Sequence, residues 1–169
     1  MIVRRCLIEA LKRFSVWRFG VPRVIMSRDG LGPYLTRYYI LGGPMTEGME
    51  VQDASRKRFG LYLHGFRRSD DADDLHNHPW AWAASLILTG GYSEERLTDR
   101  NDELVRREYT PGSINILNER TFHRIDLNPF AGPTWTLFLT GPRVQGWGFL
   151  TRTARRFIGW RQYCGLDAS

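Results

Sequence analysis

Apolar and polar positions follow a helical period at the start of the chain and a strand period after it. Over residues 2–18, Ile2, Cys6, Ile8, Leu11, Phe14 and Trp17 recur at near-helical spacing with arginine and lysine between them, which predicts an amphipathic helix. Gly20 and Pro22 end it. A stripe of this kind packs on a domain. A basic amphipathic helix also suits a membrane surface or a partner, but the apolar face here is modest and packing is the expected role.

From residue 33 onward, short runs rich in β-branched and aromatic residues predict strands over 33–41, 59–66, 84–89, 92–97, 104–109, 113–117, 122–127, 134–140 and 147–151. Turn signals punctuate them: Gly42-Gly43-Pro44, Gly90-Gly91, Asp99-Arg100-Asn101-Asp102, Pro111-Gly112, Asn128-Pro129 and Gly141-Pro142. Many short strands with no helices between them argue for an antiparallel sandwich or barrel. Residues 43–58 carry the weakest pattern and are expected to form a mobile loop. The chain shows no internal repeat, low-complexity tract or linker.

With 169 residues, 42% of them hydrophobic and 13% aromatic, the chain suffices for one domain with its own core. Its net charge of +6 rests on arginine, since Lys12 and Lys57 are the only lysines among 24 basic residues. Arginine suits planar anions. The basic pairs Arg4-Arg5, Arg67-Arg68, Arg106-Arg107 and Arg155-Arg156 are scattered instead of forming one stripe, so they read as solvated surface and not as a nucleic-acid patch. Cys6 and Cys164 are far apart and form no CxxC pair, which supports neither a disulfide framework nor a zinc finger and fits a reducing cytoplasm. Glu9 interrupts the apolar stretch near the start, so a helix is expected there and not a signal peptide. No apolar run approaches the roughly 20 residues that span a bilayer. Gly-rich phosphate loops, Gly-x-Ser-x-Gly elbows and His-Glu-x-x-His helices are missing, leaving nucleotide hydrolysis, serine hydrolysis and zinc peptidase chemistry without a motif.

The chemistry concentrates in His76-Asn77-His78-Pro79-Trp80 and in His123, three of only four histidines in the chain. Side chains two apart in a strand project from one face, so His76 and His78 can offer two imidazoles to one ion, and His123 on a partner strand would close a facial triad. Three neutral imidazoles suit a divalent transition metal and leave positions open for substrate, water or oxygen. Three imidazoles by themselves suit iron, zinc, nickel, cobalt and copper alike.

These residues resemble the two motifs of the cupin superfamily. In the first, His76-x-His78 precedes Gly90; in the second, Gly112 is followed eleven residues later by His123. The resemblance covers roughly residues 60–140 and implies an all-β, jelly-roll barrel with a metal inside, here carrying an N-terminal helix. It divides the chain into a helix and connection over 1–32, a barrel over 33–152 and an extension over 153–169 that packs on the barrel. The longer pattern looks like small uncharacterised cupin-like proteins of bacteria and their phages. Two departures stand out. The family's usual glutamate ligand falls at Ala83, and the proline and glycine usual before the last histidine are Asn118 and Arg120. Without that carboxylate the ion keeps its full charge and favours an anionic substrate. Thiol dioxygenases and some diketone-cleaving dioxygenases of the superfamily use a three-histidine iron centre, and the pattern is similar to theirs in ligand type. This resemblance makes Fe(II) the foremost candidate, with Zn, Mn and Ni as alternatives.

Several neighbours bear on the site. Asp74 shares strand parity with His76 and is a candidate fourth ligand or imidazole-orienting group. His64 is expected to be structural. Arg124 should point away from the metal, while Arg120 could reach the pocket mouth and bind a substrate anion. Tyr62 and Tyr92 are candidate substrate-binding or acid–base groups. Trp80, Trp82, Trp135 and Trp147 either stack on a substrate or fill the core. Three functions are compatible: a metal-dependent, dioxygenase-like enzyme acting on a small anionic molecule, a metal-independent sugar-nucleotide isomerase or epimerase, and a non-catalytic ligand- or protein-binding cupin. Strand edges and surface aromatics make a homodimer plausible.

Overall fold

The computed structural model of the chain describes residues 2–27, 31–43, 59–70, 74–98 and 103–165. Helix α1 spans Ile2–Phe19 and stops at Gly20, whose positive φ of 80° lets its N–H turn back to the Val16 carbonyl at 3.0 Å. The helix covers the outer face of a sheet through Ile8 and Leu11, which pack with Leu63, Leu88, Tyr38 and Trp135. The buried row is therefore Ile8, Leu11 and Ser15, a single i, i+3, i+7 stripe, and Phe14 and Trp17 fall off it with 41% and 78% exposure. A flat sheet takes one row of a straight helix, which is narrower than the apolar spacing suggested.

Among the described residues twelve strands follow: β1 (Arg23–Met26), β2 (Pro33–Leu41), β3 (Gly60–Phe66), β4 (Leu75–His76), β5 (Trp82–Thr89), β6 (Tyr92–Leu97), β7 (Leu104–Tyr109), β8 (Ile114–Asn118), β9 (His123–Leu127), β10 (Thr134–Thr140), β11 (Gly148–Leu150) and β12 (Phe157–Gly159). A short helix α2 (Trp160–Tyr163) comes after them. They pair into two six-stranded antiparallel sheets, ordered β1-β2-β3-β10-β5-β8 and β12-β11-β4-β9-β6-β7. From β3 to β11 the chain passes repeatedly between the sheets, the winding of a jelly roll. The expected all-β jelly-roll architecture with an N-terminal helix is the one present, built as two hydrogen-bonded sheets instead of one closed ring. Predicted and observed limits coincide for β2, β6, β7 and β10. β1, β12 and α2 went unpredicted because three or four residues are too few to display a period, and the strand expected to carry both His76 and His78 is only the two-residue β4. Residues 44–58, most of the predicted loop, lie outside the described residues.

Both motif glycines close tight turns. Gly90 has φ +69°, and a Cβ there would stand 2.4 Å from Thr134 Oγ1; Gly112 has φ +104°. The interior between the sheets holds one apolar cluster of Leu35, Phe66, Ile87, Tyr92 and Ile125, and another of Ala83, Leu117 and Phe138. Polar side chains share this interior. Glu94, Asn115, His123 and Thr136 are each at most 1% exposed, an expensive content for a core unless it is bonded or functional.

Candidate metal centre

β4 and β9 pair antiparallel with His76 directly opposite His123. His78 lies beyond the end of β4, so its place is not set by strand parity as the sequence reading supposed. Asn77 fixes it instead: the Asn77 N–H donates to the Gly148 carbonyl at 3.1 Å, and its side-chain oxygen accepts the Gly148 N–H at 2.9 Å. Gln145 Nε2 then donates to the His78 carbonyl at 3.0 Å and to that of Glu119 at 2.6 Å, tying the first histidine motif to the turn before the second. The three rings converge, with centroids 4.5 Å apart for His76 and His123 and 5.1 Å for each of the other two pairs. One nitrogen from each lies within 4.8 Å of the others.

The donor set fits a divalent transition metal. His78 Nε2 and His123 Nε2 are 2.9 Å apart. Two imidazole nitrogens at ~2.0–2.1 Å from one ion, at right angles about it, are separated by about that distance. His123 Nδ1 is 2.5 Å from Glu94 Oε1, which places the ring proton on Nδ1 and leaves Nε2 as a lone-pair donor facing the other rings. Burial pulls His76 down to about 4, against the opposing influence of the Asp70 carboxylate. Burial also pushes His78 well below the ordinary range, reinforced by His76, His123, Arg37 and His64. Neutral imidazole at pH 7 is the form that binds metal.

Glu94 was not singled out by the sequence. It is fully buried on β6 and gathers four hydrogen bonds from three residues: His123, Asn115 Nδ2 at 2.8 Å, and Arg96 through both Nε and Nη2 at 3.1 Å. Burial alone would raise its carboxyl; the hydrogen bond and charge of His123, with Asn115 and Arg96, outweigh that and hold it at about 2. Its one visible signal is parity, since Tyr92, Glu94 and Arg96 alternate onto one side of the strand. The family's usual glutamate position, Ala83, is buried among Leu117 and Phe138. The carboxylate thus enters from another strand and orients a histidine through its second nitrogen.

Other expectations are redirected. Asp74 does not approach the histidines: its oxygens accept the Arg152 N–H at 3.1 Å and the Tyr163 hydroxyl at 2.8 Å, because β11 and α2 cover that end of β4. Asp70 is the nearby acid, 3.6 Å from His76 Nδ1 and held by the Tyr34 hydroxyl and the Ile125 N–H. The Arg120 side chain is 81% exposed beside Glu119, directed to solvent by its turn. Arg124 pairs with Glu95 at 2.9 Å on the opposite face from His123. Tyr92 accepts from Asn115 at 3.2 Å, and burial pushes its hydroxyl up to about 12, which removes it as a ready acid. Tyr62 stacks on His64 at 5.9 Å. Of the tryptophans, Trp80 stacks on His78 at 5.5 Å; Trp82 packs with Phe59, Trp135 with Tyr38 and Trp147 with Trp160.

No family model matches the chain, and no curated protein matches it in sequence. Among solved structures, a recombinant oxalate oxidase in complex with glycolate is similar at 12% identity over 69% of this chain and 55% of that one, with a TM-score of 0.48. Hydroxypropylphosphonic acid epoxidase from S. wedmorenis is similar at 10% identity over 70% and 55%, with a TM-score of 0.48. Peruvianin-I, a cysteine peptidase from Thevetia peruviana latex, is similar at 12% identity over 74% and 67%, with a TM-score of 0.49. The chain spans about half the length of the first two. Among the described residues, no helix is long and apolar enough to cross a membrane.

Proposed function

We propose that the chain is a mononuclear metal enzyme of cupin type, with His76, His78 and His123 as ligands and a small anionic molecule as substrate. The observation that carries this reading is the convergence of three imidazoles from two segments onto one point, with Glu94 orienting the most buried of them. Three neutral donors leave a divalent ion its whole charge, which favours an anion on the open side. Fe(II) is the preferred ion and dioxygenase-type chemistry the preferred reaction. When bound, such an ion supplies Lewis-acid polarisation or redox chemistry. The protein's own part is to hold His76 and His78 neutral by burial, to fix the His123 proton on Nδ1, and to wall the site with Trp80 and Phe138.

The test is elemental analysis of protein purified without a histidine tag, beside a His76→Ala/His123→Ala double variant. About one transition-metal ion per chain, lost in the variant, is the expected result. Equal metal in both, or none in either after loading with Fe(II), Zn(II) and Co(II), rejects the centre. Oxygen uptake on a panel of small carboxylates then separates a dioxygenase from a metal-dependent reaction without oxygen.

A further inference from the structure

The inner face of the first sheet carries polar side chains that the histidine cluster does not use. On β2, Leu35 and Tyr39 are buried inward and Arg37, between them in parity, shares their face. Arg37 sits opposite His64 of β3, donates from Nε to His64 Nε2 at 3.0 Å and lies 5.0 Å over the Tyr62 ring. Among the described residues no carboxylate pairs with it, and its two terminal nitrogens make no hydrogen bond. Arg37 is half-buried, and a half-buried guanidinium without a counter-ion is an incomplete arrangement.

Thr136 of β10 faces His64 from the other side, fully buried, with its Oγ1 lacking any partner. Native interiors seldom leave such a hydroxyl unbonded without a reason. The cluster also adjoins the histidines. The Phe138 ring lies 5.0 Å from His64 and 5.8 Å from His78, so a single phenyl group separates the two polar sets.

We propose that Arg37, oriented by His64 and assisted by the Thr136 hydroxyl, is the receptor for the oxyanion of a small substrate whose other end meets the three histidines. This rests on the metal-centre reading for the far end of the substrate, but the anion receptor itself needs no metal. The Arg37 fork matches a carboxylate or a phosphoryl group, each able to accept two parallel N–H donors. His64 accepts the Arg37 Nε proton at its own Nε2, so its ring proton is on Nδ1 and the imidazole serves as a neutral positioning group. The electrostatics agree: after burial, Arg37 is what lowers His64, and both contribute to lowering His78.

The experiment titrates malonate and inorganic phosphate into metal-free protein by calorimetry, with Zn(II) affinity measured separately for each variant. Wild-type protein should bind one of the anions, and Arg37→Gln should weaken it by roughly tenfold or more while Zn(II) affinity stays within about threefold. Thr136→Val should weaken it less, and Arg120→Gln not at all. Preference for malonate assigns a carboxylate, and preference for phosphate a phosphoryl group; each supports the receptor. Should Arg37→Gln fail to fold, the Arg37 Nε–H resonance of the wild-type protein replaces it, and a shift on adding the anion is expected. Binding undiminished in Arg37→Gln, a silent resonance, or no binding of either anion overturns the proposal. Anion binding through Arg37 without Zn(II) binding would remove the metal centre and leave the receptor standing.

Discussion

His78 and His123 bring their Nε2 atoms within 2.9 Å of each other, yet their surroundings are opposite in charge. His123 backs onto Glu94, Asn115 and Arg96, a buried network centred on a carboxylate. His78 backs onto Trp80 and Phe138, with His64 and Arg37 behind them, and among the described residues no carboxylate bonds to it. The first setting fixes a ring, its tautomer and its basicity; the second keeps a ring neutral and leaves positive charge available. Fixing a ligand and receiving an anion are different demands, and here they are met by different flanks of one cluster.

Removing the acidic flank should have the largest effect on the fold. Glu94→Ala leaves the half-buried Arg96 and the buried Asn115 around a cavity and takes the partner from His123. Loss of one member of a buried ion pair costs about 3–5 kcal/mol, and losing an imidazole-orienting carboxylate weakens metal affinity by about 10–100-fold. Urea unfolding and competitive Zn(II) titration read the two effects. A loss under about 1 kcal/mol with unchanged Zn(II) affinity would show that the network neither holds the core nor orients His123.

This asymmetry was half legible in the sequence. The three histidines could be found because their spacing is local, and Gly90 and Gly112 because turns announce themselves. Glu94 and Arg37 could not. Each acquires its role from cross-strand register: β6 runs beside β9 so that Glu94 reaches His123, and β2 runs beside β3 so that Arg37 meets His64. Register comes from the whole sheet, and a local pattern does not state it. Asp74 was singled out by parity along a strand that ends after Leu75–His76, where the chain places Asp70 and not Asp74 beside His76. The helix erred differently. Its apolar spacing was real, but only the row through Ile8 and Leu11 meets the sheet.

Acid should separate the flanks in the metal-free protein. His76 falls from 6.5 to about 4 in the folded state, and His64 and His78 fall as well. A base whose folded value is depressed stabilises the fold fully above its unfolded value, and that stability is lost as pH drops toward the folded value. The window therefore runs from about pH 6.5 down to 4, and the His76 shift alone is worth about 3 kcal/mol across it. Glu94, held at about 2, contributes fully above 4.5 and fades only below that, so it stays silent through most of this window. Urea unfolding at pH 7 and pH 5 should show a clear drop. A flat profile would mean that the histidines are hydrated and that the two flanks do not differ.

The smallest expected effect belongs to Arg120, and it tests where the anion-binding side begins. Its side chain is 81% exposed, 3.9 Å from Glu119, in the turn that leads to His123. Position in the chain places it closer to the ligand set than Arg37, but the fold directs it to water and directs Arg37 inward to His64. An exposed charge at a turn contributes within about 0.5 kcal/mol, because solvent screens it and its pair is loose. Arg120→Ala should therefore unfold at the wild-type urea midpoint and take up Zn(II) with wild-type affinity. If it instead lost anion binding to the extent expected of Arg37→Gln, the receptor would lie at the mouth of the site and the cationic interior would be structural.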